Sequence, residues 1–305
     1  MSFADNRANI KQAGLSSVKF KLGADIAYYP WPFIKEGKVR VSDLVSENET
    51  GRPFGHSILW EAEFTAMTRD TAAVDMKLLD DIISNKLHVK IACIDGTTYS
   101  SELIDATLGY VGCSWEYVNS GSYNSEEQTK FKLMQAMTRA QLATMMGSPP
   151  ADGTPNAGDM LYSPFNSGLT IVDILPAAVT KVELKETTNG SWTDAFNTVR
   201  NMKVSLKSLT TRDEHLRELG HGASIDISGE FMQASTSEVP TDYNTIIGRD
   251  NDVRLTLANG NQLTFDSIVN VKLDIVNEGG PDKTSYLALT AMGKIPLSSW
   301  NGIWP

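Results

Sequence analysis

Residues 51–64 read GRPFGHSILWEAEF and residues 218–231 read ELGHGASIDISGEF, so a Gly-His pair followed by a Glu-Phe pair occurs twice in one chain. A chance echo, a paired metal site and an internal repeat are the available readings, and the flanking residues choose among them. At an offset of 165 positions, Lys38-Val39-Arg40-Val41 falls on Lys203-Val204-Ser205-Leu206, and Gly55-His56 falls on Gly220-His221. A two-residue insertion then brings Glu63-Phe64 onto Glu230-Phe231. After it, an offset of 164 matches Ile82-Ile83 with Ile246-Ile247, Val89 with Val253 and Asp95-Gly96 with Asn259-Gly260. Farther on, an offset of 155 sets Gln135-Ala136-Met137 on Thr290-Ala291-Met292, with the difference assigned to a longer hairpin tip in the first copy (NSGSYNSEEQT against NEGGPDKT). Order kept over a long stretch is the signature of a repeat.

The matched segments alternate apolar and polar residues, the mark of half-buried strands. In the first copy Phe20/Leu22, Val39/Val41, Ile58/Trp60/Ala62/Phe64, Val89/Ile91/Cys93, Ala106/Leu108 and Phe131/Leu133 alternate; in the second, Val182/Leu184, Val204/Leu206, Ala223/Ile225/Ile227/Phe231, Val253/Leu255/Leu257, Val271/Leu273/Ile275 and Leu287/Leu289 do so. IDGTT and LANGNQ carry Asp-Gly and Asn-Gly, which accept the positive φ of tight hairpin turns. DTAAVDMKLLDDIIS places Val74, Leu78 and Ile82 on one face of a short helix, and VPTDYNTIIG is its shorter counterpart. The expected fold is mainly β (α+β): a tandem duplication of an antiparallel β-sandwich or barrel unit with one short helix per copy. The first unit covers residues 1–143, a linker rich in Gly, Pro, Ser and Asn covers 144–169, and the second unit covers 170–305.

Composition excludes several classes. The chain has 305 residues, of which 41% are hydrophobic and 21% charged, a globular composition with length for two cores. Lys and Arg against Asp and Glu number 15 and 18 in residues 1–150, a net of −3, and 12 and 19 in residues 151–305, a net of −7. A net charge of −10 is the wrong sign for gripping nucleic acid, because that grip comes from cations neutralising phosphates. The apolar runs are short of the roughly 20 residues of a membrane span, and MSFADNRANIKQ lacks a signal peptide's basic start and apolar core. The expectation is a protein made in a cytoplasm, with no membrane partner. Cys93 and Cys113 lack metal or redox spacing and are expected as buried free thiols.

No catalytic constellation emerges. His56, His88, His215 and His221 form no HxH or HExxH, and no GxSxG, GxxxxGK[ST] or GxGxxG occurs. Pairing His56 with Glu63 and His221 with Glu230 as metal ligands requires unequal spacings and lacks a third repeated ligand, so both histidines read as turn or interface positions. Asp75, Asp80 and Asp81 beside Lys77 read as a solvated helix face. YYPWPF at residues 28–33 reads as a loop or subunit contact rather than a base-stacking platform, since prolines interrupt it and basic neighbours are lacking. The terminal WNGIWP, with Trp300, Ile303 and Trp304, is expected to dock on its own chain or a neighbour. No enzyme activity, cofactor or metal is expected.

The order of segments in each copy is strand, loop, strand (KVRVSDL, KVSLKSL), a long loop, a strand of the ILWEAEF or SIDISGEF kind, a helix, then strands joined by an Asp-Gly or Asn-Gly hairpin. It resembles the tail tube proteins of long-tailed bacteriophages and their relatives in contractile injection machines. The resemblance covers nearly the whole chain in two copies. It implies a structural virion protein, assembled in the host cytoplasm, whose fused pair of domains forms trimeric rings with pseudo-six-fold symmetry. The rings stack into a channel through which genomic DNA passes without specific binding. The implied partners are further copies of the chain, a tape measure protein, and tail terminator and baseplate proteins. Glu61, Glu63, Ser224, Asp226, Ser228 and Glu230 are the expected lumen-facing residues, a lining of acids and hydroxyls. Loops 42–56 and 207–221, with Glu47, Glu49, Arg52, His56, Arg212, Glu214, Arg217 and His221, are the expected ring-stacking elements, and the chain's two tails the clips between rings. A baseplate hub or distal tail adaptor ring of the same fold is the alternative. A carbohydrate-binding β protein using YYPWPF, Trp115 and Tyr117 is the second.

Overall fold

The computed structural model describes residues 14–161 and 179–296, apart from 24, 32–33, 48–49, 51–52, 68–81, 83–84, 105–109, 120–127, 187–191, 197–198, 214–215, 233–250, 258–259, 261 and 277–285. The period-two alternation becomes strand where it falls on described residues; Ala106/Leu108 lies outside them. The first half contributes β1 (Leu15–Leu22), β2 (Tyr29–Pro30), β3 (Ile34–Glu47), β4 (Pro53–Met67), β5 (Leu87–Cys93), β6 (Thr98–Ser100), β7 (Gly112–Asn119) and β8 (Gln128–Thr138). The second contributes β9 (Val179–Glu186), β10 (Thr193–Phe196), β11 (Val199–Arg212), β12 (Glu218–Met232), β13 (Asn251–Leu257), β14 (Gln262–Val276) and β15 (Tyr286–Pro296). All described pairings are antiparallel, and the fold is mainly β, as the sequence predicts. Gly96 and Gly260, of the Asp-Gly and Asn-Gly turns, take φ of 85° and 88°, the left-handed values for which glycine is suited.

The sheets are a four-stranded one, β2-β1-β5-β6, and an eleven-stranded one, β10-β9-β13-β14-β15-β12-β11-β7-β8-β4-β3. The halves follow the same strand order and register. Val18 pairs with Ile91 and Phe20 with Val89, while 164 positions later Val182 pairs with Leu255 and Leu184 with Val253. In the long hairpins Val39 pairs with Ala62 and Val41 with Trp60; 165 positions later Val204 pairs with Ile227 and Leu206 with Ile225. Cys113 pairs with Leu133, and 158 positions later Val271 pairs with Ala291.

These registers correct three details of the sequence alignment. First, the long hairpins match at a constant offset of 165 with no insertion, so Glu63 corresponds to Ser228 and Glu230 to Thr65. The Glu-Phe echo is displaced by two residues, which leaves the face unchanged. Secondly, β8 and β15 match at 158, not 155, so Gln135 corresponds to Gly293. A slip of three would turn every side chain to the other face, and accordingly Met137 is buried while Met292 is exposed. Thirdly, the hairpin tips are equal, nine residues each (119–127 and 277–285), because Val118 pairs with Gln128 and Val276 with Tyr286. The extra length of the first half lies between β6 and β7, where a 3₁₀ turn, Ser101–Leu103, begins a detour. The second half has one bulged strand there, β14.

The Gly-His pairs lie inside strands and mark a bulge, not the end of a loop. Thr210 faces Gly220 and Leu209 faces Gly222, so His221 is the extra residue; in the first half Gly55-His56 together face Val45, between the pairs Ser46 with Phe54 and Leu44 with Ser57. The core follows the same plan. Phe64 stacks on Phe131 at 4.8 Å, with Phe20 tilted against them at 6.0 and 6.1 Å. At the offsets of the second half, Phe20, Phe64 and Phe131 fall on Leu184, Gly229 and Leu289, so the three rings have no aromatic counterparts. One pair of positions exchanges bulk. A Cβ on Gly37 would stand 2.9 Å from Cβ of Phe64, and a Cβ on Gly229 would stand 2.6 Å from Sδ of Met202. Offset by 165, Gly37 and Phe64 become Met202 and Gly229, so large and small have changed strands.

The predicted helix over residues 70–84 lies outside the described residues except Ile82, which is helical and buried. Its counterpart, VPTDYNTIIG, and the terminal WNGIWP also lie outside them. A helix the sequence reading did not anticipate, Arg139–Met145, follows β8 under a capping box: Thr138 accepts from the Gln141 N–H, and the Gln141 side chain accepts from the Thr138 N–H. Beyond it, residues 147–161, which the sequence reading assigns to the linker, pack on the first half. Asp152 takes Lys19 and Lys90 at 2.5 and 2.7 Å, the Tyr28 N–H donates to the Asp152 carbonyl, and Leu161 is buried. Among the described residues no helix is long and apolar enough to cross a membrane.

Candidate functional site

Among the described residues the sheet passes from one half to the other where β11 lies beside β7, with Val204 opposite Asn119, Ser205 opposite Val118, Leu206 opposite Tyr117 and Lys207 opposite Glu116. Ser208 extends this joint. Its hydroxyl accepts from the Trp115 N–H at 2.9 Å and donates to the Trp115 carbonyl at 3.1 Å, standing in for a backbone pair in a buried place. Gly112 lies farther along β7 beyond Trp115, where a Cβ would run into the backbone of Arg217 and Glu218. Val204, Leu206 and Tyr117 are fully buried.

Register puts the expected lumen residues on one face. Glu61, Glu63, Ser224, Asp226, Ser228 and Glu230 stand on the side of β4 and β12 opposite the buried Trp60, Ala62, Phe64, Ile225 and Ile227. This face is not the lining of acids and hydroxyls that the sequence predicts. Lys38, Arg40, Lys130, Lys132, Lys203, Lys207 and Lys294 share it. Lys38 bonds Glu63 at 2.8 Å, and Lys132 lies 3.1 Å from Glu61 and 3.8 Å from Glu63. The hydrogen bond from Lys38 holds the Glu63 carboxyl below the usual carboxylate range. Across the joint Glu116 is the neighbour of both Lys130 and Lys207. A groove of about 550 Å³ runs here, lined by Lys38, Glu63, Ser114, Glu116, Lys132 and Lys207 among others. The acids were visible because β4 and β12 carry them, but the cations beside them come from β3, β8, β11 and β15, and only the sheet order brings these together.

The expected stacking loops are hairpin arms instead. β3 runs to Glu47 and β4 starts at Pro53, while β11 runs to Arg212 and β12 starts at Glu218, so Glu47, His56, Arg212 and His221 stand on strands. Serine, asparagine and glycine suggested loop, but cross-strand pairing continues to Glu47 opposite Pro53 and to Arg212 opposite Glu218. The second tip is compact: Arg217 donates from its Nε to Asp213 at 2.6 Å, and Arg212 reaches Glu218 at 3.4 Å. Glu49, Arg52 and Glu214 lie outside the described residues.

The aromatic segments expected as alternatives for ligand binding are core. Tyr28, Tyr29, Trp31, Trp115 and Tyr117 are all buried. Burial and a hydrogen bond to Asp159 push the Tyr29 hydroxyl up to about 12. Cys93 and Cys113 are free thiols, the first half-buried and the second buried, each raised by burial. Among the described residues no group of three or more His, Cys, Asp or Glu is placed to hold a metal ion. No protein-family model matches the chain, and no curated protein matches it.

Proposed function

We propose that this chain is a ring-forming structural subunit of the tail tube kind, its two halves standing as neighbouring positions in a ring of three chains. The observation that carries this reading is the β7–β11 pairing, which joins two units of one strand order edge to edge in a single sheet. A ring built from such units has a continuous sheet on one wall, and its polar face becomes a channel lining. The face carries charges of both signs, and Lys38 and Lys132 are held by Glu61 and Glu63, which lowers the charge that these two lysines offer a passing polyanion. The turn ends of the long hairpins, at Glu47 and Arg212, are the contacts this reading assigns to the next ring. Negative-stain microscopy with analytical ultracentrifugation tests the reading. Six-lobed rings of three chains, stacking into tubes at high concentration or with a tail initiator, are expected. A strict monomer at every concentration overturns it, and single rings that never stack move the assignment to a baseplate hub.

A further inference from the structure

The internal joint is a template for an external one. In the repeat, β3 takes the place of β11 at an offset of 165, and the second half of β14 takes the place of β7 at an offset of 158. Each chain thus contains one complete joint and, elsewhere, one unjoined copy of each of its sides. Among the described residues β3 pairs only with β4, leaving its other edge open. The pairing of β14 with β13 ends at Val269, opposite Asn251, so on that side Val271–Val276 carries no described partner strand, while its other edge pairs with β15.

Burial reports the missing partner. Val204 and Leu206, which face the joint, have no exposed surface, whereas Val41, at the position of Leu206, is 42% exposed and Val39, at the position of Val204, is half-buried. The same alternating residues are fully buried where the neighbouring strand is present and partly exposed where no described strand is. An open strand edge bearing apolar side chains is a template for another strand.

We infer that β3 of one copy pairs antiparallel with β14 of the next, in the register of the internal joint: Arg40 opposite Val276, Val41 opposite Ile275 and Ser42 opposite Asp274. The occupant of each edge is a second copy of this chain. The two edges lie on different halves, so the contact is head-to-tail and repeats until the rotation closes a ring, in which every chain contributes one internal and one external joint of the same kind. This deepens the ring reading and rests on it.

Cross-linking tests it. Val41→Cys and Ile275→Cys in one full-length chain that also carries Cys93→Ser, treated with a short bis-maleimide whose two double bonds each add one thiol, are expected to give a covalent ladder ending at the number of chains in the ring. Each single variant is expected to remain largely uncross-linked. Moving the second cysteine to Lys272, three residues or about 10 Å along the strand, is expected to cut the yield at least tenfold. Val41→Lys, a charge on an edge strand, is expected to weaken assembly at least tenfold with the monomer's Tm unchanged. Rings that form without this ladder, or with equal yield from Lys272, overturn the register and leave the ring reading standing. A chain that stays monomeric overturns both.

Discussion

Val41 and Leu206 occupy the same place in two halves with the same strand order, yet one is 42% exposed and the other fully buried. Nothing in their own hairpins explains this, since Val41 faces Trp60 as Leu206 faces Ile225. The difference is the neighbour on the other edge: Tyr117 and its strand lie there beside Leu206, and no described strand pairs with that edge at Val41. Burial in this fold is therefore set partly by what each hairpin is joined to, and the comparison can be attacked at the joint itself.

The largest effect is expected from Gly112→Val, which drives a side chain into the backbone of Arg217 and Glu218. Backbone has less freedom to yield than a side-chain tip, and a loss of about 3 kcal/mol or more is expected by urea denaturation. Leu206→Ala is expected to cost about 2–4 kcal/mol, whereas Val41→Ala in the isolated chain should stay within about 0.5 kcal/mol. Equal losses at the two places would erase the comparison. Ser208→Ala leaves the buried Trp115 N–H without the hydroxyl, and about 1–3 kcal/mol is expected from the same denaturation curves.

The smallest effect is one of pH and touches the segment packed on the first half. Asp159 lies below the usual carboxylate range: burial opposes its ionisation, but hydrogen bonds from the Ile26 and Ala27 N–H groups and the Tyr29 hydroxyl outweigh it. Asp152 is lowered likewise by Lys19 and Lys90 against the cost of burial. Depressed carboxylates contribute stability above their unfolded pKa and lose it as pH falls through the folded one. Asp25, raised by burial, works in the opposite sense and offsets part of the loss. Hydrogen exchange over residues 147–161 should therefore speed up, relative to the β1–β5 pair, as pH drops from neutral to below about 4, the ordinary carboxylate range. Unchanged relative protection would remove these carboxylates from the docking.

Much of the fold was legible because period two is a strong local signal. Phe20/Leu22, Trp60/Ala62/Phe64 and Ile225/Ile227 alternate cleanly and are all buried. The offset of 165 was legible too, from Lys-Val and Gly-His. What failed was alignment across β8 and β15, where Gln-Ala-Met and Thr-Ala-Met look alike. Identity of letters competed there with facing, and facing is decided by a partner strand that the local sequence does not name. The helix at Arg139–Met145 did have a signal, Thr138 with Gln141 three residues on, hidden at the end of a long strand. At the candidate site Glu61 and Glu63 were readable one strand at a time. Lys132 and Lys38 were readable only once β8 and β3 were known to flank them. The joint lay beyond local patterns altogether, because pairing Leu206 with Tyr117 spans 89 positions of sequence.

The exchange of bulk between Gly37 with Phe64 and Met202 with Gly229 carries a genetic consequence. Two halves with one backbone plan are open to crossing-over between their coding sequences. A hybrid taking β3 from the first half and β12 from the second would set Gly37 against Gly229, leaving a void. The reciprocal hybrid would force Met202 against Phe64. By ordinary packing rules both hybrids are expected to be less stable than either parent hairpin, so the matched pair would disfavour a chain shortened by such an exchange.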